Sequence, residues 1–456
     1  MAGIGFQLKR IIEKDNGFIH SIKSYGLAIV ALNGPMLLCL LAVSIAGLLL
    51  NIDTYSSIPR DNILVTITYS FVVSSVTTGT YSLTLTRYIS DCIYQKQYSK
   101  VMASFYGGMI PAIVFSFLIS ISLFVFAGLR IEYALGVMLL LSIVSMIWLE
   151  MIYLSAVNDN KGISIGFLAG NAIIILMLLL LRFIPKEFEL IYIFLCFITG
   201  FFVTALLLMV QIKSVFKEGD KCYFEWLSYM KKYPDLWLTG LFYTLGLYFP
   251  CLYYRFTSEK FIVNGFLTMQ KDFDMPFFIG VLCIIPGLVF FSVKFETQLH
   301  TKCNEFFSAI TNYGTYNEIK FFMERLKKTI TYFFYKLCIV QLAVMSAVTF
   351  FSFKFGKGPM ADFKIYFILW MCIIAMSATL IMYVAKIVLL YFDERLFAFI
   401  IAAFYAAAVV LMTILINKDG FQGTGFMAAS VSSAILAYTL MSVFLSKLKN
   451  QVFMMR

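Results

Sequence analysis

LIYIFLCFITGFFVTALLLMVQI, residues 190–212, is an apolar run with no charged side chain. A hydrocarbon core of roughly 30 Å takes about 20 residues of helix at about 1.5 Å each, so this run is long enough to cross a bilayer. Runs of the same kind recur along the chain. They lie near 26–50, 63–86, 101–126, 134–157, 163–181, 190–212, 235–256, 275–293, 331–353, 363–385, 397–416 and 425–446, which predicts an all-α integral membrane protein of about 12 transmembrane helices. Composition agrees: of 456 residues 61% are hydrophobic and only 13% charged, with a mean hydropathy of +0.87. A soluble fold could not hide that much apolar surface.

The net charge of +11 would suggest nucleic acid in a soluble protein, but here the basic residues sit in short turns between apolar runs. That is a topology signal. Loops on the side of the N-terminus carry about 24 Lys and Arg against about 11 on the other, which places both termini in the cytoplasm. Lys9, Arg10, Lys14 and Lys23 precede a first run too long for a signal-peptide core, so it is expected to remain as the first span. The nine cysteines stand singly, mostly inside apolar runs, and read as packing residues; His20 and His300 lack ligand-spaced neighbours, so no metal is assigned.

The expected organisation is a cytoplasmic amphipathic N-terminus (1–23), a six-helix half (24–212), a cytoplasmic linker (213–233), a second six-helix half (234–446) and a cytoplasmic tail (447–456). Two six-helix halves are a common transporter plan. Within the second half, 296–330 is a cytoplasmic amphipathic segment. Ile319, Phe322, Met323, Leu326 and Ile330 fall on one helical face opposite Glu318, Lys320, Glu324, Arg325, Lys327 and Lys328. It is either a solvated lead-in to the ninth span or a docking surface for a cytoplasmic partner. Ile4, Leu8, Ile11 and Ile12 pose the same choice near the N-terminus.

Polar groups inside the membrane are the first places to look for function, because each needs a partner or water. The second span is the outlier, with eleven serines and threonines between Ile63 and Arg87. Thr66, Ser70, Ser74, Thr77, Tyr81 and Thr84 recur at three or four and share a face that could line a pathway for a hydroxylated substrate or serve close helix packing. Glu150 lies roughly 10 Å from the cytoplasmic end of the fourth span. It could hold a proton or cation, pair with Lys336 or Lys386, or reach the interface. The seventh span is rich in rings, including Tyr243 and Tyr248 before Arg255, which suit sugar C–H faces or an interfacial belt. Gly34-Pro35, Pro250 and Pro286-Gly287 predict kinks, as hinges or simple bends. No phosphate loop, no soluble domain of ATPase size and no Ser/His/Asp constellation is present, so neither a primary pump nor an enzyme is expected, and no cofactor is assigned.

Several motifs carry a resemblance. They are Met1-Ala2-Gly3-Ile4-Gly5-Phe6, Gly34-Pro35, Gly240-Leu241-Phe242-Tyr243 with Leu245-Gly246, and Asp274 through Pro276-Phe277-Phe278. Ile284-Ile285-Pro286-Gly287-Leu288, Val293-Lys294-Phe295-Glu296-Thr297 and Tyr391-Phe392-Asp393-Glu394-Arg395 continue it. Together they resemble, nearly end to end, the PelG family of Pel exopolysaccharide export membrane subunits, in the multidrug/oligosaccharidyl-lipid/polysaccharide flippase superfamily. Met36, Gln298 and Pro250-Cys251 depart from the family pattern.

The resemblance implies a MATE/flippase-like fold in the bacterial cytoplasmic membrane. It also implies export of a growing N-acetylgalactosamine-rich polysaccharide for biofilm matrix, beside a cytoplasmic glycosyltransferase and the membrane partners PelD and PelE. A flippase for a lipid-linked oligosaccharide and a membrane scaffold for a glycosyltransferase complex are the competing readings. Synthesis-driven extrusion and ion-coupled alternating access remain open for the exporter.

Overall fold

The computed structural model describes residues 57–454 except 128–130, 158–159, 186–187, 217–219, 258–260, 265–266, 313, 356–362 and 417–420. The expected first span, Gly34, Pro35 and the amphipathic N-terminus lie outside the described residues. The described helices are α1 (Ser57–Tyr94), α2 (Tyr98–Ala127), α3 (Ile131–Val157), α4 (Asn160–Leu179), α5 (Glu189–Val215), α6 (Trp226–Lys232) and α7 (Pro234–Thr257). A two-stranded hairpin, β1 (Phe261–Asn264) and β2 (Leu267–Met269), precedes α8 (Lys271–Phe290), α9 (Glu296–Thr311), α10 (Tyr316–Phe355), α11 (Phe363–Tyr391), α12 (Arg395–Leu415) and α13 (Thr424–Met454).

Ten stretches of described helix are long and apolar enough to cross a membrane, from Tyr98–Ser122 to Thr424–Leu448, and they match the third to twelfth expected spans. The second expected span is helical within α1, where the serines and threonines dilute the hydropathy. The antiparallel hairpin, pairing Phe261 with Met269 and Ile262 with Thr268, was not foreseen; Phe261-Ile262-Val263 is the aromatic and β-branched run that favours a strand.

Contacts divide the described residues into two compact units, 57–248 with 252–271, and 249–251 with 272–454. Most of α7 therefore packs with the N-terminal unit, whereas span counting groups it with the later helices. Gly79 and Gly240 supply the reason: a Cβ on Gly240 would collide with the Gly79 carbonyl, so only glycine lets α1 and α7 come so close. The core of this unit runs through α1 to α5 and includes Leu85, Phe105, Leu149, Phe167, Phe197 and Leu208.

The 220–233 linker closes the unit at one end, with Trp226 fully buried in that core. Its polar side chains tie it to α1 and α2. Glu225 accepts from Lys100 at 3.1 Å and from the Tyr88 hydroxyl at 3.3 Å, and Ser99 donates to Asp220 at 3.1 Å. Burial and the neighbouring Asp91 push the Tyr229 phenol up to about 12, so it stays protonated and donates to Asp91 at 3.1 Å.

In the C-terminal unit α11 is the central helix, with a buried face that includes Ile368, Cys372, Met376, Ala385 and Leu389. Helix α8 contains Pro276 and Pro286 and passes into a π-turn, Phe291–Phe295. A proline removes a backbone donor and obstructs the preceding turn, and a π-turn is one way to absorb the resulting offset. Helix α10 begins with a capping box: the Thr315 N–H donates to Glu318 at 2.8 Å while the Glu318 N–H reaches Thr315 Oγ1 at 3.4 Å.

The apolar face of the amphipathic segment is covered by the chain itself. Ile319, Met323, Leu326 and Ile330 are buried, and α9, whose Leu299, Cys303 and Phe306 are also buried, packs along α10. Of the two readings of this segment, lead-in to the ninth span or docking surface, the burial of four of its five apolar residues favours the first. The two stripes satisfy each other as a helical hairpin, with an Arg325–Glu305 ion pair at 3.7 Å alongside, and Phe322 is only partly buried.

Candidate functional site

Five of the six hydroxyl residues singled out on α1 are buried: Thr66, Ser70, Ser74, Tyr81 and Thr84; Thr77 is partly so. Their hydroxyls meet two fates. In mid-helix they return to their own backbone: Ser74 donates to the Phe71 carbonyl at 3.1 Å, Thr77 to Val73 at 3.1 Å and Thr78 to Ser74 at 2.6 Å. Those side chains do what close packing asks of them. Ser70 Oγ, Tyr81 Oη and Thr84 Oγ1, by contrast, are enclosed and have no hydrogen-bond partner among the described residues.

Helix α3 packs against α1 and carries Glu150, which is 0% exposed. Neither carboxylate oxygen has a hydrogen-bond partner among the described residues. An ionised carboxylate at membrane depth costs about 2.5–3.5 kcal/mol on insertion scales, so this arrangement calls for a proton, a cation, water or a donor from substrate. One turn further along α3, Tyr153 shares a hydrogen bond with Ser104 at 2.9 Å and sets its ring against Phe105 at 5.1 Å. Lys336 lies exposed on α10 with its ammonium 4.3 Å from the Tyr332 ring centroid, and Lys386 is buried on α11, 5.1 Å from that of Tyr383.

Arg255 is buried on α7 with its guanidinium carbon 4.7 Å from the Tyr69 ring centroid, which joins the seventh-span helix to α1. Tyr243 and Tyr248 lie partly buried on the same helix. Tyr81 contacts Trp226 of the linker with ring centroids 5.7 Å apart. The structure thus brings the hydroxyl face, Glu150, Arg255 and the ring-bearing α7 into one unit.

Of the hinge candidates, Pro250 lies inside the continuous helix α7, and Pro286 with Gly287 lies inside α8, where Gly287 faces Gln341 and Leu380. Sequence reasoning passed over Gln341, which donates to the Cys283 carbonyl and to Ser377 Oγ at 3.3 Å each. It also passed over Trp226. A lone amide in an apolar span carries the same signal that exposed Glu150. A Trp among charged linker residues carries almost none.

An open cleft of about 790 Å³ lies between α9 and the start of α10, lined by His300, Asn304, Glu305, Ser308 and Glu318 among others. His300 Nδ1 meets the Tyr391 hydroxyl at 2.6 Å. Among the described residues no group of three His, Cys, Asp or Glu is placed to hold a metal ion.

A family model described as "PelG: Putative exopolysaccharide Exporter (EPS-E)" matches residues 1–453. No curated protein sequence matches the chain. Solved structures do. A MATE crystal structure in the bent conformation aligns with a TM-score of 0.64 at 14% identity, covering 98% of this chain and 99% of that one. A multidrug/oligosaccharidyl-lipid/polysaccharide (MOP) superfamily transporter from Pyrococcus furiosus aligns with a TM-score of 0.63 at 13% identity, covering 98% of each. An outward-facing multidrug resistance MATE family transporter of the same superfamily gives 0.59 at 15%, covering 98% and 99%. At such identities the likeness is one of fold.

Proposed function

We propose, from the premise that the chain belongs to the PelG family of exopolysaccharide exporters, that it moves a growing N-acetylgalactosamine-rich polysaccharide out across the bacterial cytoplasmic membrane. The fold is that of MOP superfamily transporters, and the family's work is transport. In this reading a cytoplasmic glycosyltransferase feeds the polymer, with PelD and PelE as membrane partners. The two sets of six spans, 24–212 and 234–446, are joined through the linker, with most of the seventh span packed in the N-terminal unit.

Glu150 carries the reading at the level of residues. It is a fully enclosed carboxylate without a partner among the described residues, on a helix packed against α1, the helix that carries the hydroxyl face. Ser70, Tyr81 and Thr84 line the pathway with it, Thr66, Ser74 and Thr77 share their face, and Tyr243, Tyr248 and Arg255 add rings and a fixed charge. Pro250, Pro286 and Gly287 are the bending points in this reading, together with Gly34 and Pro35, which lie outside the described residues.

Both termini face the cytoplasm in this account, so the linker and the α9–α10 connection do too. The test is made in cells that lack the native gene and carry the full chain. Secreted amino-sugar polymer should depend on the chain, and the glycosyltransferase should co-purify with it. Single cysteines at Ser228 and Asn317 in a cysteine-free background should resist impermeant thiol reagents. Polymer secretion without the chain would remove the export role, and labelling of both cysteines would reverse the orientation.

A further inference from the structure

Where the linker covers the N-terminal unit, Trp226 meets Tyr81 of α1, and Thr84 lies one turn from Tyr81 on the same helix. The Trp226 indole N–H, the Tyr81 hydroxyl and the Thr84 hydroxyl all lack a hydrogen-bond partner among the described residues, and the Trp226 and Tyr81 rings are in contact at 5.7 Å. Trp226 is 1% exposed, Tyr81 4% and Thr84 0%. Tyr81 and Thr84 are three apart on α1 and so share its face. An anchor with no other task would be expected to pair its N–H or be a Phe or Leu, because enclosing an unpaired donor is unfavourable.

The cover over these groups is fastened by Trp226 in the apolar core, by the Tyr88–Tyr229 ring contact at 5.1 Å and by polar contacts that water can replace. The polar contacts are Glu225 with Lys100 and Tyr88, Ser99 with Asp220, and Tyr229 with Asp91. Gly107 lets the backbone of Tyr223 lie directly on α2, where any Cβ would strike its carbonyl. The linker is therefore well seated, but it gains no pairing for its own Trp226 N–H or for the two hydroxyls of α1 beneath it. Lifting it would present two aromatic faces, one N–H and two hydroxyls together. That combination matches a pyranose ring, whose C–H face lies on aromatic rings while its hydroxyl or amide substituents exchange hydrogen bonds.

We propose that Trp226, Tyr81 and Thr84 form a sugar-binding subsite, and that the 220–232 strap lifts to admit one pyranose residue of the polymer and closes over it. The proposal rests on the exporter reading and adds to it a defined place of recognition that includes a linker residue. A buried water chain is the competing use of the same groups. It needs no aromatic ring and no movement of the strap.

The test uses the full chain in lipid nanodiscs, reduced to one tryptophan by Trp148→Phe, Trp237→Phe and Trp370→Phe. Short N-acetylgalactosamine oligosaccharides should change the Trp226 fluorescence saturably. Thr84→Val and Tyr81→Phe, which keep shape, should weaken that binding by about tenfold each, as expected when a hydrogen bond to the ligand is lost. A Ser99→Cys and Asp220→Cys pair in a cysteine-free background, bridged by a bifunctional maleimide, should abolish both sugar binding and export, and the unbridged pair should retain them. Calorimetry on the wild type replaces fluorescence if the single-tryptophan protein does not export.

Normal export with no saturable sugar response, or a response indifferent to Thr84→Val and to bridging, overturns the subsite and leaves the exporter reading intact. Sugar binding by a chain whose removal leaves polymer secretion unchanged does the reverse.

Discussion

The two units treat their buried polar groups differently. In the C-terminal unit such groups are largely tied to one another: Thr379 meets Tyr405 at 3.4 Å and Ser430 at 3.3 Å, Gln341 bridges Cys283 and Ser377, and Cys251 donates to Asp274 at 3.4 Å. Gln341 Oε1 and Thr413 Oγ1 remain there without a partner among the described residues. In the N-terminal unit the same condition holds for Ser70, Tyr81, Thr84, Ser120, Trp148, Glu150 and Trp226, among others. Paired polar groups hold helices in place; unpaired ones in an enclosed, packed unit are disfavoured by the fold and are better accounted for by function. On the proposed function, the C-terminal unit is the more fully tied scaffold and the N-terminal unit the part assigned to substrate.

Substitutions at the glycine crossing should give the largest effect and would sharpen the contrast from the folding side. Gly79→Leu forces a branched side chain into Thr244 of α7. Overpacking of this kind costs typically about 1–3 kcal/mol and occasionally more, so membrane-inserted protein and the thermal midpoint should both fall. A midpoint equal to wild type would mean that α1 and α7 do not depend on this approach.

Leu326→Ser comes next. Leu326 is fully buried in the α9–α10 hairpin, and removing its burial costs roughly 1.5–3 kcal/mol. The midpoint should drop while partner association per folded molecule stays unchanged. Lost co-purification at an unchanged midpoint would favour the docking role instead.

The smallest effect on stability should come from Ser70→Ala. Its hydroxyl is enclosed without a partner among the described residues, so deleting it should move stability by no more than about 0.5 kcal/mol in either direction. Export per folded molecule should nonetheless decline. A clearly lower midpoint would show that the hydroxyl supports the fold and would weaken the division between the units.

Much of this was legible beforehand because the bilayer imposes a simple rule of length and apolarity. The third to twelfth spans follow from that rule, and α1 stands out because its serines and threonines dilute it. The face shared by Thr66, Ser70, Ser74, Tyr81 and Thr84 follows from helical periodicity, and the enclosure of Glu150 from its neighbours Trp148-Leu149 and Met151.

Three features were not legible, each because it depends on contacts far apart in sequence. Ile319, Met323 and Leu326 looked like an open face, since nothing local reveals that α9 covers them. Trp226 sits in a charged linker and gains meaning only against Tyr81, far back along the chain. The placement of α7 with α1 rests on two glycines whose partnership no local pattern announces.

The account is tested most directly by measuring export per folded molecule and thermal midpoint side by side for Glu150→Gln and Gln341→Leu. Glu150→Gln keeps the shape of a side chain that pairs with nothing among the described residues, so the midpoint should stay at the wild-type value. Export should fall about tenfold or more, equivalent to roughly 1.4 kcal/mol or more of lost transition-state stabilisation. Gln341→Leu removes the donor to Cys283 and Ser377, which should cost about 1–3 kcal/mol of stability and leave export per folded molecule unchanged. The reverse pattern, a destabilised but fully exporting Glu150→Gln protein beside a stable Gln341→Leu protein that no longer exports, would contradict the assignment of transport to the N-terminal unit.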